Sequence, residues 1–116
     1  MGITIAPLEL LASAARSSSG QSSNFNAYDY HELGCDICID VTAVSGTLPI
    51  LDIWIETTNE STPSVWYKLR RIPRISAAGN YMTTILGGIM RQLRLNYTIG
   101  GTNGNFTFSA NLIKHI

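Results

Sequence analysis

Cys35-Asp36-Ile37-Cys38-Ile39-Asp40-Val41-Thr42-Ala43 decides the fold class, because its apolar residues recur at every second position. Cys35, Ile37, Ile39, Val41 and Ala43 fall on one face, and Asp36, Cys38, Asp40 and Thr42 on the other, which is the pattern of a half-buried strand. Ser45-Gly46-Thr47-Leu48-Pro49 then supplies turn residues, and beyond them Leu51, Ile53 and Ile55 point one way while Asp52, Trp54 and Glu56 point the other. A polar connection from Thr58 to Pro63 precedes a third strand, Val65-Trp66-Tyr67-Lys68-Leu69, whose extension Pro73 is expected to limit.

Farther along, Ala77-Ala78-Gly79-Asn80 marks a turn, and Tyr81 to Leu86 reads as a short strand ended by Gly87-Gly88. Arg91, Leu93, Leu95, Tyr97 and Ile99 alternate with Gln92, Arg94, Asn96 and Thr98; Phe106, Phe108, Ala110 and Leu112 alternate with Thr107, Ser109 and Asn111. Gly100-Gly101-Thr102-Asn103-Gly104 lies between these runs, so the two are expected to pair as a closing hairpin. Upstream, residues 1–24 read as an N-terminal arm that includes the flexible Ser-rich stretch Arg16 to Asn24, with Leu8 to Ser13 leaning towards a strand. Many strands with no long amphipathic helix predict an all-β domain over 25–116, an antiparallel β-sandwich (jelly-roll or Ig-like) of about 7–8 strands.

The totals agree with one domain. The chain has 116 residues, 45% of them apolar and 14% charged, enough to bury one core and poor in the charges that keep a monomer's surface solvated. Lys plus Arg equals Asp plus Glu at eight each, which speaks against wrapping nucleic acid. The start lacks a basic leading segment and carries Glu9 within its apolar stretch, so it is expected to be mature sequence. No apolar run approaches membrane-spanning length.

The candidate chemistry is sparse. Cys35 and Cys38 have knuckle-like spacing, but residues i and i+3 of a strand face opposite sides, so structural cysteines are expected and no metal or cofactor is assigned. His31 lies near Asp29 and Glu32, and His115 stands apart; no nucleophile, base and orienting group can be picked out by motif, so no catalytic residue is assigned. The Gly100–Gly104 run precedes a strand, whereas a phosphate loop needs a helix N-terminus, so its glycines are expected to serve backbone geometry. The stretch Trp66 to Arg74 concentrates four cations beside aromatics; Tyr67, Arg70, Arg71 and Arg74 are the candidate partner-binding residues, of the types that anchor interfaces.

The run Val41-Thr42-Ala43-Val44-Ser45-Gly46-Thr47-Leu48-Pro49-Ile50-Leu51-Asp52-Ile53 resembles a pattern of small virion proteins of tailed phages, particularly those that decorate or cement capsids. Trp66 after a polar loop, Ala77-Ala78-Gly79 at a turn, and Leu93-Arg94 leading to Tyr97-Thr98-Ile99-Gly100-Gly101-Thr102 and Phe106-Thr107-Phe108-Ser109 are similar in order and rough spacing. The resemblance implies a sandwich that assembles on a particle as a homo-oligomer, dimer or trimer, and contacts the major capsid protein without catalysis. A neck, tail or fibre-base position is the first alternative. A carbohydrate-binding module is another, because Trp54 lies on an otherwise polar strand face.

Overall fold

The computed structural model describes residues 7–27 and 33–115. Among them are seven strands: β1 (Leu8–Arg16), β2 (Gly20–Gln21), β3 (Phe25–Asn26), β4 (Cys35–Thr58), β5 (Tyr67–Ile75), β6 (Gly79–Ile85) and β7 (Gln92–Lys114). All their pairings are antiparallel and belong to one open sheet. The all-β expectation therefore holds.

The axis of the molecule is the ladder between β4 and β7, which runs from Cys35 opposite Lys114 to Thr58 opposite Gln92. Alternation puts the core where the sequence places it. Ile37 faces Leu112, Ile39 faces Ala110 and Val41 faces Phe108 in one half; Ile53 faces Tyr97 and Ile55 faces Leu95 in the other. All ten side chains are buried in one hydrophobic cluster. At about 3.3 Å per residue, a straight strand would hold Tyr97 and Phe108 roughly 36 Å apart. Instead their rings meet edge to face with centroids 5.4 Å apart, so β7 doubles back and both halves of the ladder bury their apolar faces together.

The corner that permits this corrects the expected turns. Residues 91–99 and 106–112 do not pair with each other as a hairpin; each pairs with β4, and Gly100–Gly104 bends β7 where Ser45–Pro49 bends β4. Register shifts fall between Val41 and Ala43, Ser45 and Thr47, and Thr47 and Ile50, as bulges do where a paired strand must kink. Gly46 and Gly101 adopt φ of 104° and 91°. A Cβ on Gly46 would lie 2.5 Å from the Asn103 carbonyl oxygen, and one on Gly101 would lie 2.4 Å from that of Leu48. Leu48 and Asn103 themselves have positive φ, so each facing pair consists of a glycine and a left-handed residue. A glycine-rich break between alternating runs is compatible with a hairpin or with a corner, and what selects the corner is the matching break in β4.

Flanking strands then complete each half. β6 pairs with β4 over 35–41 and β1 with β7 over 106–112; β5 pairs with β4 over 51–57, and β2 and β3 with β7 over 92–97. β5 continues through Pro73 to Ile75, beyond the expected limit. Its position at an edge explains this, since a register shift between Leu51 and Ile53 lies opposite the proline and no ladder bond is required of its nitrogen.

The segment expected as an arm, residues 1–24, contributes β1 and β2 to the sheet; its first six residues lie outside those described. The Ser-rich stretch follows β7 past the corner, with serine hydroxyls taking ladder positions. Ser19 Oγ accepts the Ile99 N–H at 3.0 Å and Ser22 Oγ accepts the Leu95 N–H at 2.8 Å. Arg16 fastens β1 by donating to the Phe108 carbonyl at 2.7 Å, its guanidinium 4.7 Å from the Phe108 ring centroid.

Candidate functional site

The half built from β5, the second part of β4 and the first part of β7 carries a face of cations and indoles. Its origin is the same alternation that makes the core. With Leu51, Ile53 and Ile55 turned inward, Asp52, Trp54 and Glu56 turn outward, and the register brings cations to them from both sides. Trp54 lies opposite Arg71 on β5 and Asn96 on β7; Glu56 lies opposite Lys68 and Arg94.

Contacts follow this register. Arg74 grips Asp52 with two parallel hydrogen bonds of 3.1 Å, and Arg71 adds a third at 3.0 Å. The Arg74 bonds, supported by that of Arg71, hold the Asp52 carboxyl below its ordinary range. The Lys68 ammonium lies 4.9 Å and the Arg71 guanidinium 5.7 Å from the Trp54 ring centroid. Arg94 donates to Glu56 at 2.8 Å and lies 4.4 Å from the Trp66 ring centroid. Glu56 is only 5% exposed, so Arg94 neutralises a carboxylate that burial would otherwise penalise. Trp66 is placed by the loop before it, where Glu60 accepts the backbone N–H groups of Ser64 and Val65 at 3.1 and 3.0 Å.

Of the four residues to which the sequence points, Arg71 and Arg74 converge on Asp52. Arg70 sits opposite Ile55 and, one residue from Arg71, leaves the strand towards the other face; Tyr67 is 56% exposed at the start of the strand. Trp66, which opens the cationic stretch in the sequence, also belongs to the face, as do Asp52 and Arg94, which no local sequence signal marks as candidates. Trp54 reads from sequence only as a sugar platform. With cations lying over its ring, a sugar would have to displace Lys68 or Arg71 to stack on an occupied face.

The other candidates separate. Cys35 is buried and Cys38 half-buried, on opposite faces of β4, and both are free thiols. Burial, and then the Asp36 charge, pushes the Cys35 thiol up to about 11, which suits a packing residue rather than a nucleophile. Among the described residues, no group of three or more His, Cys, Asp and Glu side chains is arranged to hold a metal ion. No helix among them is long and apolar enough to cross a membrane. His31, with Asp29 and Glu32, lies outside the described residues.

His115 closes the end of the sheet. Its Nε2 is 3.0 Å from Asp36 Oδ1 and its Nδ1 is 2.9 Å from the Leu33 carbonyl. Both ring nitrogens thus face acceptors, which favours the imidazolium, and the Asp36 and Leu33 bonds raise the His115 pKa. Asp36 is held low by the Thr84 hydroxyl and then by His115. A raised histidine stabilises the fold below its ordinary value of 6.5 and loses that contribution as pH rises through its folded value. A lowered aspartate stabilises above 3.8 and loses its contribution as pH falls through its folded value. The clasp is therefore strongest between these two limits. His115→Asn is expected to lower the melting temperature more at about pH 5 than at about pH 8.5, and an equal loss at both would show that the ring is not charged in the fold.

No protein-family model matches the chain, and no curated protein matches it.

Proposed function

We propose that this chain is a structural protein of a tailed-phage particle that binds the assembled capsid shell and braces it, acting without turnover or cofactor. In this reading the doubled sheet is a jelly-roll or Ig-like sandwich, presenting its cationic and aromatic face to the major capsid protein on the capsid surface. One observation carries the reading beyond the strand-and-turn resemblance: Trp54, Trp66, Lys68, Arg71, Arg74 and Arg94 gather on one face with Asp52 and Glu56 as their acidic partners. Arginine and tryptophan are the residues that most often dominate protein interfaces. Binding to the assembled lattice but not to separated subunits stabilises the lattice by mass action, and many repeated sites let modest contributions accumulate.

A side-chain-resolution reconstruction of the intact particle tests the proposal directly. Hundreds of copies over the shell are the expected result; a few dozen or fewer at one vertex would place the chain in the neck or tail instead. In solution, the combined Arg71→Ala and Arg74→Ala variant is expected to bind assembled shells at least about tenfold more weakly in co-sedimentation, as loss of more than one anchoring residue implies. Wild-type binding by that variant, with an unchanged circular dichroism spectrum, would remove this face from the contact.

A further inference from the structure

Among the described residues the sheet has three long edges, and they differ in what protects them. β5 carries Lys68, Arg70, Arg71, Arg74 and Pro73, and its ladder with β4 shifts register twice. β1 shifts register twice within nine residues, and Arg16 donates to its Ala12 and Ala14 carbonyls at 2.7 and 3.1 Å. Charges, proline, bulges and capped carbonyls are the means by which edge strands avoid pairing with other chains.

β6 has none of these. Gly79-Asn80-Tyr81-Met82-Thr83-Thr84-Ile85 contains no charged residue and no proline, and it runs along β4 from Val41 opposite Gly79 to Cys35 opposite Ile85 without a register shift. Among the described residues its ladder is with β4 alone, so the backbone groups of its other side form a regular edge that no described strand covers. Met82, at the middle of the strand, is 61% exposed.

We propose that β6 is the self-association edge of this protein, pairing antiparallel with β6 of a second copy across a twofold axis at Met82. Charge selects this occupant. Pairing about Met82 sets Asn80 against Thr84 and Tyr81 against Thr83, so no like charges meet, and Tyr81 with Thr83 forms the aromatic and β-branched pair that cross-strand contacts favour. The same operation on β5 would set arginines and lysine against one another. An acidic or basic foreign strand would gain no attraction from β6, whereas its own copy repeats its length, its straight register and its lack of charge. A twofold axis also makes the contact closed, so it ends at a dimer rather than a filament. The inference is independent of the shell-binding reading, because it uses the opposite half of the sheet and none of the cationic face.

The test uses the full chain in sedimentation equilibrium. Wild type is expected to dimerise, while Met82→Lys and Met82→Glu, each bringing like charges together on the axis, are expected to self-associate at least about tenfold more weakly. Mixing the two variants is expected to restore a dimer, because lysine then meets glutamate. Wild type that stays monomeric, a closed oligomer of odd number, or charged variants that associate as well as wild type would each overturn the proposal. If the variants do not fold, hydrogen exchange on wild type decides: β6 amides that gain protection with concentration support the pairing, and amides unchanged across the monomer–dimer range overturn it.

Discussion

Valine in place of Gly101 is expected to unfold the protein or lower its melting temperature by roughly 10 °C or more, because two independent penalties coincide at one position. The φ of 91° is costly for a β-branched residue, about 1–3 kcal/mol by itself. The new Cβ would also lie 2.4 Å from the Leu48 carbonyl oxygen, a backbone atom of the facing strand that cannot move without opening the corner. Opening it separates the two halves that bury the core against each other, so the loss spreads beyond the site. Gly87→Ala is the control: its Cβ would meet nothing within 4 Å, and its melting temperature is expected to stay near that of wild type. Thermal unfolding followed by circular dichroism distinguishes the two. An unchanged transition for Gly101→Val would mean that the corner is not built as described.

The second large effect is expected at Phe108. This ring is fully buried, meets Tyr97 at an interplanar angle of 84° and lies under the Arg16 guanidinium. Phe108→Ala leaves a cavity where the two halves of β7 touch, costing about 3–5 kcal/mol. That is a large share of the roughly 5–15 kcal/mol that holds a typical domain together. Phe108→Leu keeps most of the volume and is expected to lose much less. Urea titration measures both, and equal midpoints for the alanine and leucine variants would show that lost side-chain volume is not what destabilises the protein at this position.

How much of this is legible in the sequence depends on the range of the interaction that fixes each feature. Inward and outward assignments along 35–41, 51–55, 93–99 and 106–112 come directly from alternation, because burial of one face acts on each residue separately; past the register shift after Val41, Ala43 is exposed where alternation turns it inward, Arg91 is exposed as well, and Glu56 is buried. The destination of those strands does not. Ile99 and Phe106 flank a glycine run that a hairpin would use equally well, and only the bend at Ser45–Pro49 in a strand far away in sequence makes it a corner. The candidate surface shows the same division. Arg71 and Arg74 stand out within a local run of cations, whereas Arg94 does not, because its partner, Glu56, is 38 residues distant and meets it only through the β4–β7 register. Trp54 announces itself as an aromatic on a polar face, but the cations over its ring arrive from another strand.

The dominance of β7 has a consequence for how the chain is made. β1, β2 and β3 pair with β7, as does β4 from Cys35 to Thr58, so while residues 92–114 are still inside the ribosome the described strands before them can form only the β4–β5 and β4–β6 ladders. Productive closure must then join strands far apart in sequence, a topology that places folding on the millisecond-to-second scale. Until that closure occurs, the apolar row of β4 has lost half its covering, and nascent or prematurely terminated chains become the species most prone to clump.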